Sequence, residues 1–241
     1  MPHSEPLVAA ADIVRGARFL FVLTGSGVSA ESGVPTFRGA GGYWRDRSVM
    51  ELATPEAFAA DPRLVWDWYL ERRRTVGACE PNAAHRALAA WSRLRGGALV
   101  TQNVDGLHER AGHQGVIRFH GSLWRNRCGR CGTERVVADL DYPELPRSPC
   151  CGAPERPGVV WFGEAIPETA RAAADAALAR ADAMLVIGTS GVVHPAAGFT
   201  AAARARGARV IDVNPEATGI DADLPLRLPA CTAVPAILGG A

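Results

Sequence analysis

The 241-residue sequence contains no lysine. All 26 basic side chains are arginine, against 25 acidic ones, for a formal charge of +1. With no basic tract longer than Arg72, Arg73 and Arg74, the chain lacks the phosphate-binding footprint of a nucleic-acid binder. The missing lysine, beside abundant alanine, reads first as a coding-composition bias. Long apolar runs are missing too. Leu7–Ala11 is too short for a signal-peptide core and is followed by Asp12 and Arg15, and no other segment approaches a membrane span. The expectation is a cytoplasmic protein with no membrane partner. Cysteine is sparse, six in all, and four cluster at Cys128, Cys131, Cys150 and Cys151. That clustering suits a metal site in a reducing compartment better than a disulfide framework. Cys79 and Cys231 read as ordinary packing.

What is present is apolar material, 48% of the chain, enough for one substantial core. Short apolar runs at Phe19–Leu23, Ala98–Thr101, Val116–Phe119, Met184–Ile187 and Val210–Val213 have the length of buried strands. Helices are expected between them, at Leu7–Ala17, Asp61–Arg74, Asn82–Arg95, Pro167–Ala181 and Pro195–Arg206, with Asp61 and Asn82 as N-caps and Pro62 in a first turn. Alternating strands and helices imply parallel strands with crossovers, hence an α/β fold built on a doubly wound, Rossmann-like parallel sheet. Two stretches interrupt it, one aromatic-rich and helical from about Gly39 to Pro81, the other rich in Cys, Pro, Gly and Arg from Trp124 to Pro157. They read as insertions forming a smaller helical, zinc-binding module. The large domain is then expected at about 1–38, 82–123 and 158–241, and the small one at about 39–81 and 124–157. Neither insertion contains an obvious sheet strand.

The first strand ends in Thr24-Gly25-Ser26-Gly27-Val28-Ser29-Ala30, a G-x-G-x-x-G/A dinucleotide turn in which glycines let backbone approach a pyrophosphate. Alone, the motif is as compatible with a glycine-rich structural turn. No acidic residue ends a second strand some twenty residues on, which argues against a hydride-transfer enzyme. Cys128-Gly129-Arg130-Cys131 is a C-x-x-C knuckle, and Cys150 with Cys151 could complete four thiolates around a structural zinc.

The run Gly25–Arg38 closely resembles the first signature of the sirtuins. Thr101-Gln102-Asn103-Val104-Asp105, Phe119-His120-Gly121-Ser122, Val159–Glu164, Gly188-Thr189-Ser190 and Val213-Asn214-Pro215-Glu216 follow in that family's order and span nearly the whole chain. The resemblance implies an NAD-dependent protein-lysine deacylase, releasing nicotinamide and O-acyl-ADP-ribose. NAD is the implied cosubstrate. Gly25, Ser26, Gly27 and Ser29 would hold its phosphates, and Ala30, Phe37 and Arg38 would belong to the loop over the nicotinamide ribose. Asn103 and Asp105, with Gln102 and Val104 beside them, would line the nicotinamide pocket, where an amide and a carboxylate suit a carboxamide. Gly188, Thr189, Ser190, Asn214, Glu216 and Ala230 would contact phosphate and adenosine. His120 would be the general base that activates a ribose hydroxyl, a task suited to a side chain titrating near neutrality. The other histidines, His3, His85, His108, His113 and His194, read as structural.

The sequence departs from the family at several points. Its second cysteine pair is adjacent, with Ser148 at a usual ligand position; Leu228 replaces a glycine near the adenine; Ser26 and Thr36 replace the commoner alanine and aspartate. Thr36 and the run Gly39–Arg45 resemble the class III members that remove succinyl, malonyl and glutaryl groups. Their acyl pocket uses a tyrosine and an arginine three residues apart, the register of Tyr69 and Arg72. Residues three apart share a helix face, so a phenol and a guanidinium could converge on one acyl carboxylate. The plainer alternative is a solvated arginine run, expected of Arg73 and Arg74. Val160, Trp161, Phe162, Gly163 and Glu164 are expected to offer a strand edge to an extended acyl-lysine peptide, with Val193 opposite. The chain is expected to act as a monomer. Protein ADP-ribosylation and a non-catalytic NAD-binding scaffold remain the rival readings.

Overall fold

The computed structural model describes residues 4–36, 43–44, 47–191 and 196–239. Phe37, Arg38 and Val193, three of the expected contacts, lie outside the described residues. In chain order the elements begin with α1 (Ser4–Gly16), β1 (Leu20–Thr24), α2 (Gly27–Ala30), β2 (Tyr43–Trp44), β3 (Arg47–Ser48), α3 (Val49–Leu52), α4 (Pro55–Ala60) and α5 (Pro62–Ala78). Next come α6 (Ala83–Leu94), β4 (Gly97–Thr101), α7 (Leu107–Arg110), β5 (Ile117–Arg118), β6 (Gly121–Cys128), β7 (Glu134–Val136) and β8 (Glu155–Val159). The chain closes with α8 (Glu168–Leu178), β9 (Ala183–Ile187), α9 (Gly198–Ala205), β10 (Arg209–Val213), β11 (Leu224–Leu226) and α10 (Ala230–Leu238).

Six strands form one parallel sheet in the order β11-β10-β9-β1-β4-β5. Strand β1 is buried at every position because successive side chains enter different cores. Leu20 and Val22 pack with Ala10, Leu88, Val234 and Ile237 under α1, α6 and α10. Phe21 and Leu23 pack with Ala174, Leu178 and Phe199 under α8 and α9. The α/β doubly wound fold is therefore as the strand and helix pattern implied. Helix starts follow local chemistry. The Asp61 carboxylate accepts from the Leu64 amide at 2.9 Å, with Pro62 in the first turn. Asn82 and His85 form a reciprocal capping box on α6. Strand β11 and helix α10 were not expected, since each contains a proline, Pro225 and Pro235. Pro225 is tolerated on a short edge strand, and α10 owes its place to an apolar face packed on α6 and α1 rather than to propensity.

The second module differs from its expected helical character. It contains a three-stranded antiparallel sheet, β7-β6-β8, besides α3 to α5. Its core joins the two interrupting stretches: Trp66, Trp68, Tyr69 and Leu70 of α5 pack with Leu123, Tyr142, Val159 and Trp161. Arg73 corrects the expectation of a solvated run, being 0% exposed. Its guanidinium donates to the carbonyls of Leu123 and Asp139, to Asn126 Oδ1 at 2.7 Å and to Tyr142 Oη. A buried cation without such acceptors would cost several kcal/mol, so Arg73 is the polar bolt that joins α5 to β6. Arg74 is exposed, as expected.

Candidate functional site

The chain runs from β1 outward to β4 and β5, then returns to β9 on β1's other side, so the sheet has its switch point between β1 and β9. Ligands of open α/β sheets bind outside the strands' carboxyl ends at such a point. The turns after β1 and β9 touch there. The Gly27 amide donates to the Gly188 carbonyl at 2.8 Å, and a Cβ on Gly25 would come within 2.7 Å of Thr189 Cβ. These glycines thus serve close backbone approach, the condition for a pyrophosphate to lie against the turn. Gln102 Nε2 donates to Thr189 Oγ1 at 3.1 Å, and Asn214 Nδ2 donates to the Thr189 carbonyl at 2.9 Å. Gly25, Gly27, Gln102, Gly188, Thr189 and Asn214 are thereby brought together from four strand ends, with Ser26 and Ser190 partly exposed beside them. Glu216 is exposed, and Ala230 is buried at the start of α10, whose Cys231 amide donates to Glu31 Oε2.

Behind this crevice Asn103, Asp105 and Ser29 form one network. The Ser29 hydroxyl donates to Asp105 Oδ2 at 2.8 Å and accepts from Asn103 Nδ2 at 3.2 Å. Asn103 Nδ2 also reaches the Gly25 carbonyl, and the Leu107 amide holds Asp105 Oδ1 at 2.8 Å. Burial pushes the Asp105 carboxyl above its ordinary value, while the Leu107 and Ser29 hydrogen bonds and the Arg72 charge oppose that rise. The result is an amide and a carboxylate fixed at one wall of the crevice, with Val104 packed behind.

Two histidines absent from the expected site support this wall. His85 Nε2 lies 3.3 Å from Ser29 Oγ, and His108 Nε2 lies 3.0 Å from Thr24 Oγ1, their rings 4.8 Å apart. Burial lowers His85 to about 4 and His108 well below the ordinary value, so both are neutral under physiological conditions. The sequence signal for His85 was its place in Asn82-Ala83-Ala84-His85 at a helix start, since an N3 side chain folds back onto its cap.

His120 sits between β5 and β6. Gly121, at φ 80, is required there because a Cβ would collide with the Gly158 carbonyl. His120 Nδ1 is 3.0 Å from the Gln102 carbonyl. A carbonyl only accepts, so Nδ1 carries the proton and Nε2 is left as the basic nitrogen. Burial lowers the imidazole's pKa, partly offset by the Gln102 bond, which keeps it neutral and able to take a proton at pH 7.

The Val160 amide donates to the His120 carbonyl, tying the following loop to that residue. Residues 160–164 are not themselves a strand. Strand β8 ends at Val159, and residues 160–164 form a turn: Trp161 N donates to Glu164 Oε2, Phe162 N to the Ala53 carbonyl and Glu164 N to the Trp161 carbonyl, with Gly163 at φ 85. These amides are thus engaged within the protein, while the Phe162 ring is exposed.

Tyr69 and Arg72 share one face of α5. Tyr69 is buried, its hydroxyl accepts from Trp161 Nε1 at 2.9 Å, and burial pushes it up to about 12 against the Arg72 charge. Arg72 lies over the Trp68 ring at 5.3 Å, and burial lowers its pKa against the opposing charges of Tyr69 and Asp105. The pair thus stands between Trp161 of the 160–164 loop and Asp105.

The four cysteines converge so that their Sγ atoms all lie within 4.8 Å of one another. The Cys128–Cys151 and Cys131–Cys150 separations are 3.5 and 3.2 Å, near the edge of a tetrahedron of thiolates around zinc. Adjacent Cys150 and Cys151 both reach the centre because the chain turns sharply, with the Gly152 amide on the Ser148 carbonyl and Gly152 at φ 69. The amides of Cys131 and Arg130 hold the Cys128 thiol down to about 6, favouring the thiolate that a metal binds. Four protein ligands leave no open position, so zinc here is structural. Purified protein should carry about one equivalent of zinc, and chelation should lower its melting temperature. Metal analysis showing stable protein free of zinc would contradict the assignment.

Residues 25–195 match the Sir2 family. The chain is 50% identical over 232 residues to the NAD-dependent protein deacylase of Ralstonia nicotianae, covering 93% of each chain. It is 51% identical over 218 residues to NAD-dependent protein deacylase 1 of Pseudomonas aeruginosa, covering 86% of this chain and 87% of that protein. Among solved structures, a Sir2 homologue in complex with NAD superposes with a TM-score of 0.92 at 43% identity, over 97% of this chain and 93% of that one. A mutant Sir2 homologue bound to 2′-O-acetyl ADP-ribose superposes with a TM-score of 0.90 at 43% identity, over 98% and 96%. With that match over residues 25–195 and these identities across most of each chain, the chain belongs to the Sir2 family.

Proposed function

We propose that the substrates are protein lysines carrying short dicarboxylic acyl groups, succinyl, malonyl and glutaryl, with acetyl accepted to a lesser degree. The chain is an NAD-dependent protein deacylase, the activity its relatives carry by name. The observation that carries the acyl assignment is the pairing of Tyr69 and Arg72 on one helix face, between the Val160–Glu164 loop and Asp105. An acyl-lysine entering along that loop would bring its carbonyl toward His120 and its far end toward the phenol and guanidinium. A terminal carboxylate loses hydration in an apolar pocket, and a cation with a phenolic donor offsets that loss. An acetyl group has no such terminus.

NAD fits the crevice: close-packed glycines for its phosphates, Asn103 and Asp105 for its carboxamide, and Asn214 with exposed Glu216 for its adenosine end. It supplies the ribose that receives the acyl group when nicotinamide leaves. His120 Nε2, kept unprotonated, takes the proton from a ribose hydroxyl, the step that moves the acyl group toward O-acyl-ADP-ribose. Among the described residues no helix is long and apolar enough to cross a membrane.

Incubating a succinyl-lysine peptide with NAD and the protein should give deacylated peptide, nicotinamide and O-succinyl-ADP-ribose by mass spectrometry. A peptide or protein that gains an ADP-ribose mass while keeping its succinyl group would favour the ADP-ribosyltransferase reading instead.

A further inference from the structure

The Tyr69 hydroxyl has one proton and must point it somewhere. An indole N–H can only donate, so the 2.9 Å contact from Trp161 Nε1 occupies the acceptor side of the phenol oxygen. The phenolic proton is left to a different acceptor. Burial holds Tyr69 protonated far above neutrality, so the donor is always present. Accepting one hydrogen bond also polarises the O–H and strengthens the one it gives.

Trp161 is itself held from several sides. The Arg156 guanidinium stacks over its ring, 3.4 Å from the centroid, and Phe58 of α4 meets it at 5.2 Å. Arg156 is fixed in turn by two bonds to Glu164, at 2.5 and 2.8 Å, and by a 2.8 Å bond to the Val159 carbonyl. Glu164 Oε2 also takes the Trp161 amide at 2.8 Å. The bidentate pair and the stack hold the indole where its N–H meets Tyr69.

We propose that Arg156 and Trp161 are positioning residues for acyl selectivity: the Arg156–Glu164 pair clamps Trp161, whose N–H occupies the acceptor side of Tyr69 and so directs the phenolic proton toward the acyl carboxylate. This rests on the dicarboxylic reading of Tyr69 and Arg72. It also makes the peptide loop and the acyl reader one mechanical unit, since Trp161 and Glu164 belong to the loop that receives the substrate.

A double-mutant cycle tests it, with kcat/KM measured on succinyl- and acetyl-lysine versions of one peptide. Trp161→Phe keeps an aromatic ring and removes the N–H. It should lower the succinyl-to-acetyl ratio of kcat/KM by roughly two- to tenfold, the scale of one neutral hydrogen bond, mainly through KM. In a Tyr69→Phe background the same substitution should leave the ratio unchanged, because no hydroxyl remains to orient. Arg156→Gln should act in the same direction, and should likewise be silent in the Tyr69→Phe background. A Trp161→Phe or Arg156→Gln effect that persists in full without the Tyr69 hydroxyl, or an unchanged ratio in both single variants, overturns the proposal. Failure of the underlying reading looks different: Tyr69→Phe and Arg72→Met would then leave the ratio where it was in the wild type. Should Trp161→Phe not fold, the Arg156→Gln half of the cycle decides alone.

Discussion

His120→Ala should lower NAD-dependent deacylation by about 10²–10⁴-fold, the usual worth of a positioned general base, with melting temperature and NAD binding close to wild type. The expectation follows from geometry. His120 Nδ1 is committed to the Gln102 carbonyl, so the ring is held in one tautomer and its Nε2 is the one basic nitrogen the ring has to offer. The imidazole is partly exposed and, among the described residues, hydrogen-bonds to the Gln102 carbonyl alone, so its removal disturbs little of the fold. Because burial lowers its pKa below the ordinary 6.5, the base is deprotonated through neutral pH. The kcat/KM profile should therefore be flat around pH 7 and fall only on the acid side, with a midpoint below 6.5. Near-normal turnover in the alanine variant, or an acid limb centred above pH 7, would remove His120 from this role.

Arg72→Met should cut desuccinylation efficiency by roughly ten- to a hundredfold, the range of a lost charge-assisted hydrogen bond of ~1.5–3 kcal/mol. Deacetylation should change far less and can rise as the pocket becomes more apolar. The asymmetry arises because arginine stays a cation even where burial lowers its pKa, and so can meet a carboxylate stripped of water. Methionine keeps an unbranched apolar chain and loses the charged head, which lies over the Trp68 ring. Tyr69→Phe should act in the same direction with a smaller effect, one neutral donor being lost. Kinetics on matched peptides check both. Equal loss of the two activities in Arg72→Met would assign Arg72 to folding or to NAD instead.

The fold was legible wherever one physical cause dominated. Continuous apolar runs such as Leu20–Leu23 and Met184–Ile187 have one good solution, a strand covered on both faces, and α5 and α6 carried their own caps in Asp61 and Asn82. Strand β11 and helix α10 were illegible because Pro225 and Pro235 oppose local propensity and tertiary packing overrides it. Strand β6 was hidden for a different reason: Arg125 and Arg127 alternate with buried Asn126 and Cys128, so its inward face is polar rather than apolar. Arg73 and Arg74 illustrate the same limit. Neighbours on a helix are rotated by about 100°, and only the packing of Tyr142 and Asn126 decides which one is enclosed.

At the site, Asn103, Asp105 and His120 could be read from motifs, and the structure gathers them with Ser29, Gln102 and Thr189 at strand ends far apart in sequence. His85 was legible only as the N3 partner of the Asn82 cap, and His108 not at all, since a buried neutral histidine and a catalytic one look alike in a sequence. The adjacent Cys150 and Cys151 looked awkward as ligands until the tight turn at Gly152 brought both sulfurs inward.

The central claim is tested most directly by the wild-type ratio of kcat/KM for succinyl-lysine over acetyl-lysine within one peptide sequence at saturating NAD. The Tyr69 and Arg72 pair predicts a ratio well above one, because only the succinyl chain carries a carboxylate for them to bind. A ratio at or below one would contradict the account, and would leave Tyr69 and Arg72 as parts of the helix core rather than readers of the acyl group.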